Sequence, residues 1–341
     1  MQFELRTQVI EQRRKTFSNL VRRYGDRPAS RYEEGSVDIQ ATENFHYRPL
    51  WAPDKELYDP AYTAFRLTDP YSFLDPRQYY YAPYVQSRAA MGDAFAKSLE
   101  YVGSRNLMQK LPAGWEALVA DLLLPLRHYE AGAELVSIEG SRFAYGTTID
   151  QACMFAAFDR IGNAQNLSRI GIVFADGHDH ALADAKEKWV SDPALQGLRR
   201  FIEEQLIVQD YAKELIALDL CDRLLYSLMF THLDEAALMG GAGAYSLLAQ
   251  HFASWFADQR RWIDHLIKTW FADPEFAEAN KAAFNEVLAD RWAQIVEAVV
   301  DLAAAVDARV SAGAVEAVEA TATGVAAELR ELGLTVPGGA A

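Results

Sequence analysis

The sequence predicts an all-α protein in which an extended N-terminal arm precedes a bundle of long helices. From about residue 86 onward, apolar residues recur at steps of three and four over long segments, which is the spacing of a buried helix face. The alternation that is typical of strands is nearly absent. We therefore expect an arm over residues 1–85, a helical bundle over 86–311, and a C-terminal helix with a frayed tail over 312–341.

The predicted arm differs from the rest of the chain in composition and in charge. Residues 1–90 hold 7 of the 12 prolines and 10 of the 16 tyrosines. Proline breaks helices, whereas the aromatic content is too high for a disordered segment. These residues carry 13 basic and 12 acidic side chains, against 20 and 36 in the rest. We interpret the arm as an ordered segment that lays its aromatic side chains on a neighbouring chain or on its own bundle.

The bundle is predicted from six segments with a helical period, separated mainly by glycines. Several exceed twenty residues and are apolar on more than one face, as expected for helices in the middle of a bundle. The segments are 86–106, 114–140, 142–170, 198–230, 244–271 and 274–306.

Composition excludes several classes of function. The net charge of −15 disfavours nucleic acid as a partner, because phosphates would be repelled. The N-terminal residues carry Arg, Glu and Gln and do not form a signal peptide, and no apolar run is long enough to span a membrane. Cys153 and Cys221 lie singly in helical segments, which fits a reduced thiol in the cytoplasm. We therefore expect a cytoplasmic protein without a membrane or nucleic-acid partner.

One cluster, DGHDHALADAKEKW at 176–189, has residue types that could bind a divalent ion. Its candidate ligands are Asp176, His178, Asp179 and His180. Neighbouring residues on a helix point in different directions, and aspartate is common at a solvated helix start. A helix start is therefore the interpretation that the pattern favours.

A second stretch, AAFDRIGNAQN at 156–166, has the outline of an iron-binding segment without its ligands. It resembles the D-E-x-x-H-x-Q segment of di-iron carboxylate bundles, but Arg160 stands at the Glu position and Asn163 at the His position. Such a site takes one Glu from each of two helices and a Glu-x-x-His pair from each of two others. Glu130 precedes Arg160 by the thirty residues that a helix, a turn and a return require. The first half of the frame therefore contains Glu130, Arg160 and Asn163.

The second half of this frame lies in FADQRRWIDH at 256–265, where Gln259 and Trp262 have the paired spacing. About thirty residues upstream, Leu225 occupies the remaining position. Of the six positions, only Glu130 holds a side chain suited to iron, since a guanidinium repels the ion and indole offers it no lone pair. We predict that this chain binds no metal and hypothesise that Glu130 and Arg160 form a buried ion pair instead.

The chain as a whole resembles the β subunit of the hydroxylase component of bacterial multicomponent monooxygenases, in the phenol hydroxylase and toluene monooxygenase branch. The resemblance covers nearly the whole chain. It is carried by RRKTF (13–17), RPASRYEE (27–34), NFHYRPLW (44–51), DPRQYYYAPYVQSR (75–88) and the degenerate FDRIGNAQ (158–165).

The resemblance implies a ferritin-like fold and a place in a hydroxylase of two α, two β and two γ chains. In that family, the α subunit holds the di-iron centre and the substrate pocket, and the system is NADH-dependent, with a reductase and a regulatory protein. The resemblance also implies that this chain has no cofactor or catalytic residue of its own. Its role would then be structural, with an arm reaching over a neighbouring chain, and the aromatic substrate would be selected in α.

Two other functions stay open on the sequence alone. A free-standing di-iron oxidoreductase of the ribonucleotide reductase small-subunit kind would need at least four carboxylates on facing helices. A helical scaffold without any redox context would have no α-like partner.

Overall fold

The computed structural model describes residues 16–338, and within that range the chain is all-α, as predicted, with thirteen α-helices and no strand. Most of the RRKTF motif and the start of the arm lie outside the described residues. The helices are α1 (Ser18–Tyr24), α2 (Arg31–Ser36), α3 (Tyr81–Ser104), α4 (Ala113–Leu118), α5 (Leu126–Phe143), α6 (Thr147–Phe174), α7 (His180–Ser191), α8 (Pro193–Gln205), α9 (Tyr211–Tyr226), α10 (Leu233–Met239), α11 (Gly243–Phe271), α12 (Ala277–Val310) and α13 (Ala314–Glu331).

The arm is less extended than its composition predicts, because it begins with the two short helices α1 and α2. Ser30 caps α2: its side chain accepts from the Glu33 amide, and the Glu33 carboxylate accepts from the Ser30 amide. Beyond α2 the arm is irregular up to α3, apart from single 3₁₀ turns at Pro60–Tyr62 and Pro70–Ser72. An aspartate caps each of these turns and proline occupies its first position, where a missing amide hydrogen costs nothing.

The arm packs on the bundle of its own chain. The Asn280 amide bonds both the N–H and the C=O of Arg66, at 2.8 Å each. Asp273 accepts from the Thr68 amide at 2.7 Å, and Asp210 accepts from the Ala64 amide at 2.8 Å. Arm residue Phe73 is fully buried in the common core. Intramolecular cover is thus one role of the arm, and contact with a neighbouring chain stays a prediction.

Four long helices enclose the centre of the bundle. α5 and α6 form an antiparallel pair, α5 also packs on α9, and α11 packs on α9, α6 and α12. Helix α9 is buried on nearly all sides, as the apolar residues on more than one of its faces predict. Helix α8 packs closely on α12, because a Cβ at Gly197 would lie 2.9 Å from Ala298. The centre is therefore surrounded by helices from both halves of the chain.

Two wide π turns flank the central helices. One, Val119–Leu123, precedes α5, and the other, Ser227–His232, joins α9 to α10. At the far end, α13 buries an apolar face that includes Val318 and Leu329, and Leu334 beyond it is also buried. Within residues 16–338, no helix combines the length and apolar character needed to cross a membrane.

Candidate functional site

A buried ion-pair cluster occupies the centre of the bundle. Helix α5 contributes Glu130, α6 contributes Arg160, and α9 contributes Asp222; their side chains are 3%, 1% and 2% exposed. Arg160 Nη1 lies 3.2 Å from Glu130 Oε2, and Arg160 Nη2 bonds Asp222 Oδ2. The ion pair hypothesised from the thirty-residue spacing is confirmed, and its guanidinium bridges two carboxylates rather than one.

Two tyrosines and an asparagine add further hydrogen bonds to the cluster, in which Arg160 Nε has no partner among the described residues. The Tyr226 hydroxyl donates to Glu130 Oε1 at 2.6 Å, and the Tyr129 hydroxyl donates to Asp222 Oδ1 at 2.8 Å. Asn163 Nδ2 donates to the Tyr226 oxygen at 3.3 Å. Both carboxylates therefore accept from a phenol as well as from the guanidinium, as buried charges require.

Asp222 is the residue that the sequence reasoning missed. The spacing argument placed Leu225 at the fourth-helix position, and Leu225 is indeed buried. Asp222 and Tyr226 are four residues apart on α9 and so share a helix face, which is the face that meets Arg160 and Glu130. The available indication was Asp222 itself, one of three charged residues in the otherwise apolar stretch LDLCDRLLY.

The second half of the frame is filled by a neutral pair. Trp262 Nε1 donates to Gln259 Oε1 at 2.9 Å, and both side chains are buried. These residues lie at i and i+3 on α11, so the predicted sharing of one face is confirmed. The guanidinium of Arg77, from the arm, lies 5.8 Å from the centroid of the Trp262 ring.

Burial dominates the electrostatics of the cluster. It raises the pKa of Asp222 to about 7, against the lowering effect of Arg160. Burial opposes the charge on Arg160, yet Asp222 and Glu130 raise the pKa of that guanidinium well above its ordinary value. Burial raises the pKa of the Tyr226 phenol well above its ordinary range too, so this group stays a hydrogen-bond donor.

These residues do not fit a di-iron centre. The positive guanidinium stands between the two carboxylates, where the metal ions would have to lie, and the Gln259 oxygen is already bonded to Trp262. In the part of the chain that the structure describes, no group of three or more His, Cys, Asp or Glu side chains is placed to hold a metal ion. In the other candidate cluster, at 176–189, His180 is the first residue of helix α7. The ring centroids of His178 and His180 lie 6.2 Å apart.

A second charged network ties the arm to the bundle next to this centre. Arg77 pairs with Asp75 at 2.9 Å and lies 3.4 Å from Asp258 of α11. Arg88 of α3 pairs with the same Asp258 at 2.8 Å and with Asp159 of α6 at 2.6 Å. Asp75, Arg77 and Arg88 all belong to the motif DPRQYYYAPYVQSR, so this motif serves to fix arm, α3, α6 and α11 together.

The fold and the centre together define a ferritin-like helical bundle. Its di-iron ligand positions are occupied by residues that do not fit a di-iron centre. Residues 51–274 match the family described as methane/phenol/alkene hydroxylase. The chain therefore belongs to this family and is a hydroxylase subunit of the multicomponent monooxygenases. The β-subunit resemblance predicted from the N-terminal motifs is confirmed.

Three similar proteins support this assignment. The chain is 40% identical over 290 residues to DmpL, a phenol 2-monooxygenase oxygenase component of Pseudomonas sp. (strain CF600), covering 84% of this chain and 87% of DmpL. It is 38% identical over 335 residues to MhpL, the corresponding component of Acinetobacter pittii (strain PHEA-2), covering 98% of each. A crystal structure of xenon-pressurized phenol hydroxylase from Pseudomonas sp. OX1 contains a chain with a TM-score of 0.90, 31% identity, and coverage of 98% and 100%.

Proposed function

We propose that this chain is the non-catalytic, structural β subunit of a di-iron hydroxylase that acts on aromatic rings of the phenol or toluene type. The buried Arg160 between Glu130 and Asp222 supports this proposal most directly. A guanidinium does not give up its proton in a protein and donates hydrogen bonds only, so it excludes a cation from the space it fills. In this proposal the iron and the substrate pocket belong to the partner α subunit.

The proposed assembly contains two α, two β and two γ chains and is served by a reductase that uses NADH and by a regulatory protein. The support comes from the relatives, which are named as oxygenase components of phenol 2-monooxygenase. This chain would contribute its stability to the assembly, since ion pairs and tyrosine hydrogen bonds hold its centre together.

The proposal predicts that the purified chain contains no iron, even after expression in iron-rich medium. Elemental analysis by mass spectrometry measures this directly. The complete hydroxylase, prepared in parallel, should contain iron in proportion to its α subunit. Stoichiometric iron that survives chelation in the isolated chain would instead support a free-standing di-iron oxidoreductase.

Copurification separates the proposal from a helical scaffold without redox context. When the α, β and γ chains are expressed together, an affinity tag on this chain should recover all three. Recovery of this chain alone, from cells that contain folded α, would contradict the proposed role.

A further inference from the structure

A cavity of about 220 Å³ lies where the arm packs on the bundle. The arm provides one wall, which includes Arg66, and the bundle provides the other, which includes Tyr211 of α9 and Trp270 of α11. The described residues that line this cavity belong neither to the cluster around Arg160 nor to the charged network around Arg88. The cavity is therefore separate from the centre of the bundle.

Five aromatic side chains of the described residues line this cavity. Phe65 and Trp270 are almost completely buried, and their ring centroids lie 4.6 Å apart. Tyr145, Tyr211 and Phe276 add three further rings. An apolar cavity of about 150 Å³ is large enough to bind benzene. The arm–bundle cavity therefore has room for one aromatic ring that carries a small substituent.

Two polar groups in the cavity wall have no partner in the part of the chain that the structure describes. Tyr211 is 4% exposed, and its hydroxyl makes no hydrogen bond within residues 16–338. The Arg66 guanidinium likewise forms no ion pair or hydrogen bond there, although Asn280 bonds the backbone of Arg66. Because buried polar groups are normally hydrogen-bonded, these two donors indicate a ligand that carries an oxygen acceptor.

Charged groups of both signs surround the cavity. Asp59 lines it together with Arg66, and the two side chains do not pair with each other. Asp210 and Asp273 lie beside it, where they accept from amides of the arm backbone. The charges of the wall itself balance, the two outer aspartates disfavour an anion, and the unpaired guanidinium disfavours a cation. An uncharged ligand is therefore favoured.

We propose that this cavity binds an uncharged one-ring phenol. Its ring packs against Phe65 and Trp270, and its hydroxyl accepts from Tyr211 and Arg66 and donates to Asp59. A hydroxyl group has one donor hydrogen and two acceptor lone pairs, so it can bond all three groups. Because the walls come from the arm and from the bundle, the ligand also stabilises the packing of the arm. The inference goes beyond the proposed function and does not depend on it.

Fluorine NMR of 4-fluorophenol, titrated with the isolated full-length chain, measures the affinity without any contribution from α. We expect a dissociation constant on the order of 0.1–1 mM, which suits a ligand with so few atoms. At pH 7, 4-fluorobenzoate and 4-fluorobenzylamine carry the same ring with a negative and a positive charge, and each should bind about tenfold more weakly. Tighter binding of either charged probe would overturn the choice of an uncharged ligand.

Two tyrosine variants locate the binding site. Tyr211→Phe removes the unpartnered hydroxyl from the cavity wall. Tyr62→Phe is the matched control, because the Tyr62 hydroxyl is also buried without a partner but does not line the cavity. Both changes keep the ring, so the chain should stay folded, which circular dichroism checks. We expect Tyr211→Phe to weaken binding of 4-fluorophenol by about threefold to tenfold and Tyr62→Phe to leave it unchanged.

Arg66→Met tests the charge of the wall. We expect it to weaken binding of 4-fluorophenol by about tenfold, since hydrogen bonds from a charged donor are the stronger ones. The same change should let 4-fluorobenzylamine bind more tightly, because this cation then meets Asp59 without the guanidinium. Equal affinity of the wild type, Tyr211→Phe and Arg66→Met for 4-fluorophenol would place the phenol elsewhere and overturn the site. If the wild type does not bind 4-fluorophenol at about 10 mM, the inference is wrong, while the proposed function stands.

Discussion

The two halves of the bundle centre have different kinds of side chain at the same set of ligand positions: an ion pair in the first half and a neutral hydrogen bond in the second. In the first half, the guanidinium of Arg160 lies between Glu130 and Asp222, which α9 contributes from the second half, and all three side chains are buried. In the second half, an amide and an indole share a single neutral hydrogen bond. The backbone spacing is similar in both, with paired positions at i and i+3 on α6 and on α11.

This difference shows that the same backbone arrangement can hold side chains whose interactions differ in strength. A buried charge needs its partner, because removing that partner leaves an ion without solvent or counterion. A neutral polar group loses far less when its partner is removed. The same bundle therefore tolerates either filling, but the first half should be much more sensitive to single substitutions than the second.

The largest effect is expected for Arg160→Ala. This change leaves Glu130 and Asp222 facing each other without a cation, and we expect the free energy of unfolding to fall by about 3–5 kcal/mol. Denaturant unfolding of the isolated chain measures it. Arg169→Ala, on the exposed side of the same helix, is the control and should cost at most about 1 kcal/mol. A loss below about 1 kcal/mol for Arg160→Ala as well would mean that the cluster is hydrated.

Combined substitutions test the composition of the cluster. Spacing alone suggests that Glu130→Leu with Arg160→Met should be mild, because apolar residues often replace a buried ion pair at little cost. The structure adds Asp222, which that double change would leave buried without its cation. We therefore expect the double variant to stay destabilised and the further change Asp222→Asn to recover most of the loss. Additive effects of the three changes would show that the residues do not interact.

The pH dependence of stability offers a second comparison of the two halves. Burial raises the pKa of Asp222 to about 7, whereas an unfolded aspartate titrates near about 3.9. The stability that protonated Asp222 contributes is therefore fully present below about pH 4 and is lost as the pH rises to about 7. We expect this fall in stability between about pH 4 and 7 to disappear in Asp222→Asn, as measured by unfolding at several pH values. Gln259→Met, which changes no titratable group, should lower the whole curve without changing its slope.

Much of this centre follows from the sequence because its geometry is local. The thirty-residue separation of Glu130 and Arg160 is set by one helical hairpin, α5 and α6, and the pairing of Gln259 with Trp262 is set by one turn of α11. Helical periodicity likewise predicted the bundle, since each long helix shows its buried face in its own residues.

The remaining features depend on contacts between segments that are distant in the sequence, and the residue pattern of one segment does not show such contacts. Asp222, three residues before the position that spacing assigned to Leu225, is the residue of α9 that meets Arg160. The placement of the arm depends on side chains more than two hundred residues away, such as Asn280 at Arg66. The composition of the arm does not indicate whether it packs on its own bundle or on that of a neighbouring chain. The sequence therefore leaves both possibilities.

The smallest effect is expected in the neutral half, where Gln259→Met removes the acceptor of the Trp262 N–H. We expect a loss of about 1–3 kcal/mol in the free energy of unfolding, the usual penalty for one buried donor without a partner. Adding Trp262→Phe removes that donor, so the double variant should lose little beyond the reduced packing of the smaller ring. Denaturant unfolding of both single variants and the double variant gives the coupling energy. If this coupling equals or exceeds that between Arg160 and Glu130, the two halves are energetically alike, and charge is not what distinguishes them.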